Sequence, residues 1–253
     1  LFKFVSARAR PLFLVLSTAA CSLHDTSHRV PAEDAVGAEN LLLETPTAPA
    51  SRSGLLSGWN ALRGDPYELD GVERFLEEGE KPACDRAAMV SYSGTTLRYY
   101  GALLVNPPFK ERLARFEEVV AEVSREIYGR APRRIRHYGS FNCRSTRNRS
   151  WVLSEHALGN ALDVVGFDFA PATKESPLPV GAAPALARSF QVRVAKHWNA
   201  ESGVAATHAR FLALLTERLR ERPDIFRSMF GPGHGGHDDH LHLDAAPYRY
   251  VDL

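Results

Sequence analysis

The chain has 253 residues, 44% of them hydrophobic and 24% charged, the composition of a protein that buries a core. Its 31 basic and 30 acidic residues leave a formal charge of +1, which argues against a sequence-wide electrostatic grip on nucleic acid. Uncharged or mixed-charge partners fit better.

In chain order, residues 1–21 have the layout of a secretory signal. Lys3, Arg8 and Arg10 precede an apolar run from Leu12 to Ala20, and Cys21 follows. That run is too short to cross a bilayer as a permanent helix. The Ala-Ala-Cys ending has the form of a bacterial lipoprotein cleavage site, at which Cys21 is lipidated and anchors the mature chain. The expectation is an exported protein, periplasmic or held as an outer-membrane lipoprotein. Residues 22–81, with ETPTAPASRSG at 44–54 and few periodic apolar positions, read as a low-order tether or extension. The folded domain is expected over 82–253. In an oxidising compartment the remaining cysteines, Cys84 and Cys143, form a disulfide by default; two buried thiols are the alternative.

The clearest helix is PPFKERLARFEEVVAEVSREIYG, 107–129. Phe109, Leu113, Phe116, Val120, Val123 and Ile127 recur at spacings of four and three, with prolines in the first turn and Gly129 as the stop. A second amphipathic helix is predicted over 207–222, with Phe211, Leu214, Leu215 and Leu219 inward and Pro223 ending it. Period-two patterns at 133–140, 162–169, 189–198 and 240–245 predict strands. Helices and strands without regular alternation favour an α+β domain, a mostly antiparallel sheet flanked by helices.

The chemistry concentrates in two patches. HGGHDDHLHLD, 234–244, holds four of the ten histidines. On a strand, His240, His242 and Asp244 share one side while Leu241 and Leu243 turn to the core. In SEHALGNALDVVGF, 154–167, His156 and Asp163 flank Gly159, which permits a sharp change of direction into a strand. Ser154 is placed to cap the turn that carries His156. With His242 these residues make a two-histidine, one-carboxylate set. Such a set leaves an open position on a zinc ion, as in catalytic sites. A non-haem Fe(II) site uses the same donor types, but with a more closely spaced first pair.

These residues carry a resemblance. Ser154-x-His156-x-x-Gly159-x-Ala161-x-Asp163 followed by His240-x-His242 resembles the zinc signature of the fold shared by D-alanyl-D-alanine metallopeptidases, murein endopeptidases and the hedgehog signalling domain. More narrowly, SFNCR at 140–144, SEHALGNALDVVGF and HDDHLHLD resemble the bacterial extensin-like C-terminal family. The resemblance implies that His156, Asp163 and His242 are zinc ligands and that His240 handles protons. It also implies that His237 lies by the metal, as in penicillin-insensitive murein endopeptidases, and that Arg144 stands beside a substrate carbonyl. Asp239 occupies the place of a glutamate base in the dipeptidases of this fold, so the base is His240 or Asp239. The implied activity is zinc-dependent hydrolysis of peptidoglycan stem or cross-link peptides, of endopeptidase or carboxypeptidase type. Zinc brings the pKa of bound water towards about 7, which makes hydroxide available near neutrality. The alternative is a non-catalytic zinc-containing wall-binding module.

Overall fold

The computed structural model describes residue 69 and residues 72–253. The expected signal segment, Cys21 and most of the expected tether lie outside the described residues. The first strands are short: β1 (Val90–Tyr92), β2 (Arg98–Tyr99) and β3 (Leu103–Val105). Helix α1 (Pro107–Tyr128) follows. The Asn106 side chain caps it by accepting from the Phe109 N–H at 2.8 Å, and Gly129 stops it in a left-handed conformation. All six residues of its predicted stripe are buried. Each such side chain contributes roughly 1.5–3 kcal/mol by leaving water.

Next come β4 (Arg134–Gly139), β5 (Ser145–Thr146), β6 (Arg149–Leu153), a 3-10 turn at Glu155–Leu158 and the long strand β7 (Ala161–Phe169). Strand β8 (Phe190–Arg193), helix α2 (Val194–His197) and helix α3 (Gly203–Arg220) precede β9 (Ser228–Phe230), β10 (Leu241–Asp244) and β11 (Tyr250–Asp252). The main sheet has the order β11-β9-β10-β7-β4-β2, with β8 also paired to β7. Its pairings are antiparallel except β11 with β9 and β2 with β4. The described domain is therefore α+β with a mostly antiparallel sheet.

Three boundaries differ from expectation. The strand predicted over 189–198 stops at Arg193. Val194 and His197, three residues apart, are both buried, and the Arg193 N–H donates to His197 Nδ1 at 2.9 Å, which closes a helical turn instead. The second long helix runs from Gly203 to Arg220 rather than over 207–222. The packed domain also begins before residue 82: Leu76 is buried with Leu153, Ala157 and Leu158, Phe75 bridges to Val152, and Arg74 pairs with Glu155.

One face of the sheet holds the core. Leu162, Val164, Phe167 and Phe169 of β7, Leu241 and Leu243 of β10, and Ile135 and Val192 pack with the stripes of α1 and α3. The step from 164 to 167 breaks strict alternation. A register irregularity between Arg136 and His137 absorbs it, so Asp163 and Asp168 both project from the opposite, open face.

Candidate metal centre

Three elements bring three side chains together on that open face. His156 comes from the 3-10 turn, where the Ser154 hydroxyl accepts from the His156 N–H at 3.3 Å. Gly159 ends the turn at φ 60°, and a Cβ there would meet Met89 Sδ at 2.4 Å and the Asn106 backbone nitrogen at 2.8 Å. Glycine is thus required for the turn to pack on the start of α1. The Asn106 amide donates to the Leu158 carbonyl at 2.9 Å, and the Asn160 amide donates to Glu155 Oε2 at 2.7 Å.

Asp163 on β7 sits directly opposite His242 on β10. Side chains so paired in an antiparallel ladder start only about 4.5–5.5 Å apart at Cβ. Asp163 Oδ1 lies 3.0 Å from His242 Nδ1 and 3.1 Å from His156 Nε2, and the two nitrogens are 3.1 Å apart. The three residues form a group able to hold a metal ion.

The hydrogen bonds on the outer sides of the rings test that fit. His156 Nδ1 is 2.6 Å from the Ser140 carbonyl oxygen, which can only accept. Nδ1 therefore carries the proton and Nε2 turns a lone pair inward. His242 Nε2 donates to the Asp244 carboxylate at 2.9 Å, which leaves Nδ1 as the second inward lone pair. Two lone pairs and a carboxylate oxygen this close repel one another unless a cation or proton sits among them. The spacing is near the roughly 3.3 Å that separates neighbouring ligands of a tetrahedral ion with bonds of about 2.0–2.1 Å. Carbonyl and carboxylate acceptors behind the rings are the usual supports of metal-bound imidazoles. The donor set fits a divalent ion.

Protons compete for the same place. Burial alone would raise the Asp163 carboxyl, but hydrogen bonds with His156 and His242 outweigh it and hold the group well below the usual carboxylate range. Burial alone would lower His242, and its bonds to Asp163 and Asp244 outweigh that, so its pKa is raised.

The remaining expected site residues surround this triplet. His240 lies just before β10, with Nε2 3.7 Å from Asp163 Oδ1 and Nδ1 2.8 Å from Asp239 Oδ1. The other oxygen of Asp239 accepts from the Tyr138 hydroxyl at 2.6 Å. Hydrogen bonds from His240 first and Tyr138 second lower the Asp239 pKa. His240 is 12% exposed and Asp239 50%, so the imidazole, not the carboxylate, is the group directed at the triplet. Arg144 lines a depression of about 190 Å³ together with Tyr138, Asn142, His156 and Asp163. The neighbouring Cys143 is joined to Cys84, with Cα atoms 5.8 Å apart.

His237 stands beside the triplet through ring contacts, 5.0 Å from His240 and 5.7 Å from His242, and its buried Nδ1 has no hydrogen-bond partner. His234 instead pairs with Asp252 at 2.7 Å. Phe230 backs the cluster, contacting the rings of His234, His237 and His242. Asp244, Tyr138, Phe230 and the Ser140 carbonyl were not assigned roles from sequence. Asp244 had a signal, its alternation with His242; the other three depend on strand register and had none.

Fold and site together define an α+β domain with a candidate two-histidine, one-aspartate metal centre on the open face of its sheet. Residues 70–178 match the family described as the extensin-like protein C-terminus, and over that stretch the chain is similar to the family. The matched stretch includes Cys84, Cys143, Arg144, His156 and Asp163 and ends before His237, Asp239, His240 and His242. No curated protein and no solved structure matches the chain.

Proposed function

We propose that the protein is an exported zinc-dependent peptidase, of endopeptidase or carboxypeptidase type, acting on peptidoglycan stem or cross-link peptides. The observation that carries this reading is the pair of inward lone pairs in the triplet, with a separately oriented imidazole, His240, beside them. A structural metal site has no use for that imidazole. The resemblance to murein peptidases and the signal-like N-terminus with Cys21 supply the substrate class and location.

His156, Asp163 and His242 would hold the ion, which when bound supplies positive charge to polarise a water and an amide carbonyl. Asp239 keeps a proton on His240 Nδ1, so Nε2 is free to accept the proton of the attacking water and return it to the leaving amine. Tyr138 holds Asp239 in that role. The Arg144 guanidinium, at the rim of the depression, balances charge that develops on the carbonyl oxygen.

The test is incubation of the full chain with cross-linked and uncross-linked muropeptides, with products identified by mass spectrometry. Cleavage that falls about 10²- to 10⁴-fold in His240→Ala, with zinc retained, is the expected result. A wild-type protein that holds zinc and cleaves neither substrate overturns the peptidase reading in favour of a wall-binding module.

A further inference from the structure

The open sheet face does not end at the triplet. Farther along β7 it becomes basic. One register row crosses four strands as Arg98, Arg134, Asp168 and Gln191. Three interstrand spacings make that row about 14 Å wide. The next row on this face is Arg136, Gly166 and Arg193. Gly166 must lack a side chain, because a Cβ would meet the Val192 carbonyl oxygen at 2.1 Å. Across that gap Arg136 Nε and Arg193 Nη2 each bind one oxygen of Asp168, at 2.8 and 2.7 Å.

The charge there is not balanced. Asp168 offsets one of its two arginine partners, whereas Arg98, Arg133 and Arg134 have no carboxylate partner among the described residues. Arg133 and Arg134 also line a depression of about 490 Å³ together with Phe169, Pro171 and Phe190. The geometry is already ordered: Arg136 lies over the exposed Tyr100 ring at 4.4 Å, and Arg193 Nη1 is held by two backbone carbonyls. Asp168 and the backbone hold Arg136 and Arg193, which leaves the planar forks of Arg98, Arg133 and Arg134 for bidentate contact with carboxylates.

We propose that this arginine-lined end of the open face is a subsite for an acidic peptide segment, selecting negative charge about 10–17 Å along β7 from the triplet. The distance is three to five residues of extended chain from Asp163, the span from Asp163 to Gly166 and Asp168. The guanidiniums come from three strands, β2, β4 and β8, across a width of about 14 Å, so engaging them together takes several charges along a chain. Single-stranded nucleic acid is the competing class of ligand, since Tyr100 offers a ring for base stacking, and the measurement below separates the two. In treating the segment as part of a substrate the assignment rests on the proposed peptide hydrolysis, but its anion preference does not.

The full chain is titrated by fluorescence anisotropy with a labelled peptide of five alanines and five glutamates, and with its glutamine counterpart. The acidic peptide is expected to bind at least tenfold more tightly and to weaken as salt rises. The double variant Arg98→Gln with Arg134→Gln, at one exposed and one half-buried position, should lose five-fold or more of that affinity while melting like the wild type. Equal binding of the two peptides, or an unchanged double variant, overturns the subsite. Tighter, arginine-dependent binding of a single-stranded oligothymidylate overturns the assignment to peptide. Arginine-dependent binding of the acidic peptide by a protein that cleaves no muropeptide leaves the subsite standing and removes the hydrolytic reading.

Discussion

Each ring of the triplet is aimed by a group behind it, and that support is as consequential as the donors. Removing any of His156, Asp163 or His242 by alanine substitution takes away one of three protein ligands. Each variant is expected to lose most bound zinc by elemental analysis. Asp244→Asn removes only the charge behind His242, so the ring loses basicity and orientation but remains. It should weaken zinc affinity about 10- to 100-fold in a chelator competition and leave the fold intact. Because a proton competes with any ion for the triplet and the pKa of His242 is raised, zinc uptake should also release protons and weaken as pH falls, which calorimetry in buffers of different ionisation enthalpy detects.

At the scale of elements, the turn that carries His156 is set by neighbours distant in sequence: Arg74, Asn106 and Asn160 all bind it or its flank. The Cys84–Cys143 bridge fixes a strand-linking segment beside Arg144 and closes a loop with a sequence separation of 59 residues. The chain-entropy relation puts the stabilisation from such a loop at about 4 kcal/mol, and native bridges commonly contribute 2–5 kcal/mol. Cys84→Ser with Cys143→Ser is therefore expected to lower unfolding free energy by about 2–4 kcal/mol in urea titrations, with the same loss in wild type under reductant.

For the molecule as a whole, buried histidines shape the response to acid, and a second group away from the triplet contributes to it. His208 binds the Tyr128 hydroxyl at 2.9 Å and stacks against Phe190. Burial first, then the positive charge of His197 and Lys196, pushes its pKa down to about 4. A lowered histidine pKa means the unfolded chain takes up the proton before the folded one does. Stability is then complete above about pH 6.5, the unfolded value, and falls as pH drops towards 4, by at most about 3 kcal/mol. Urea midpoints measured from pH 7 to pH 4 should follow that slope. His208→Gln should make it shallower, with the part due to His237 remaining.

Helices α1 and α3 and the four main strands were legible because one face of each meets the core, which imprints periods of 3.6 and 2 on the residues: the α1 stripe and the Leu241–Leu243 pair are the plain cases. The triplet was legible for a related reason, since a rigid strand turns His240, His242 and Asp244 to one side and the chain needs glycine to bring His156 round to Asp163. The short strands β1 to β3, β5, β6, β9 and β11 were not legible. They have two to five residues each, and their partners are set by register with segments elsewhere in the chain. The same limit hid the fine chemistry. That Asp163 lies opposite His242, that His240 rather than Asp239 faces the triplet, and that arginines from three strands gather in two adjacent rows are all consequences of register. Local sequence determined which residues could carry chemistry and which face of each element they occupy. Only the tertiary structure decided which of them meet, because register is set by hydrogen bonds and packing between segments far apart in the chain.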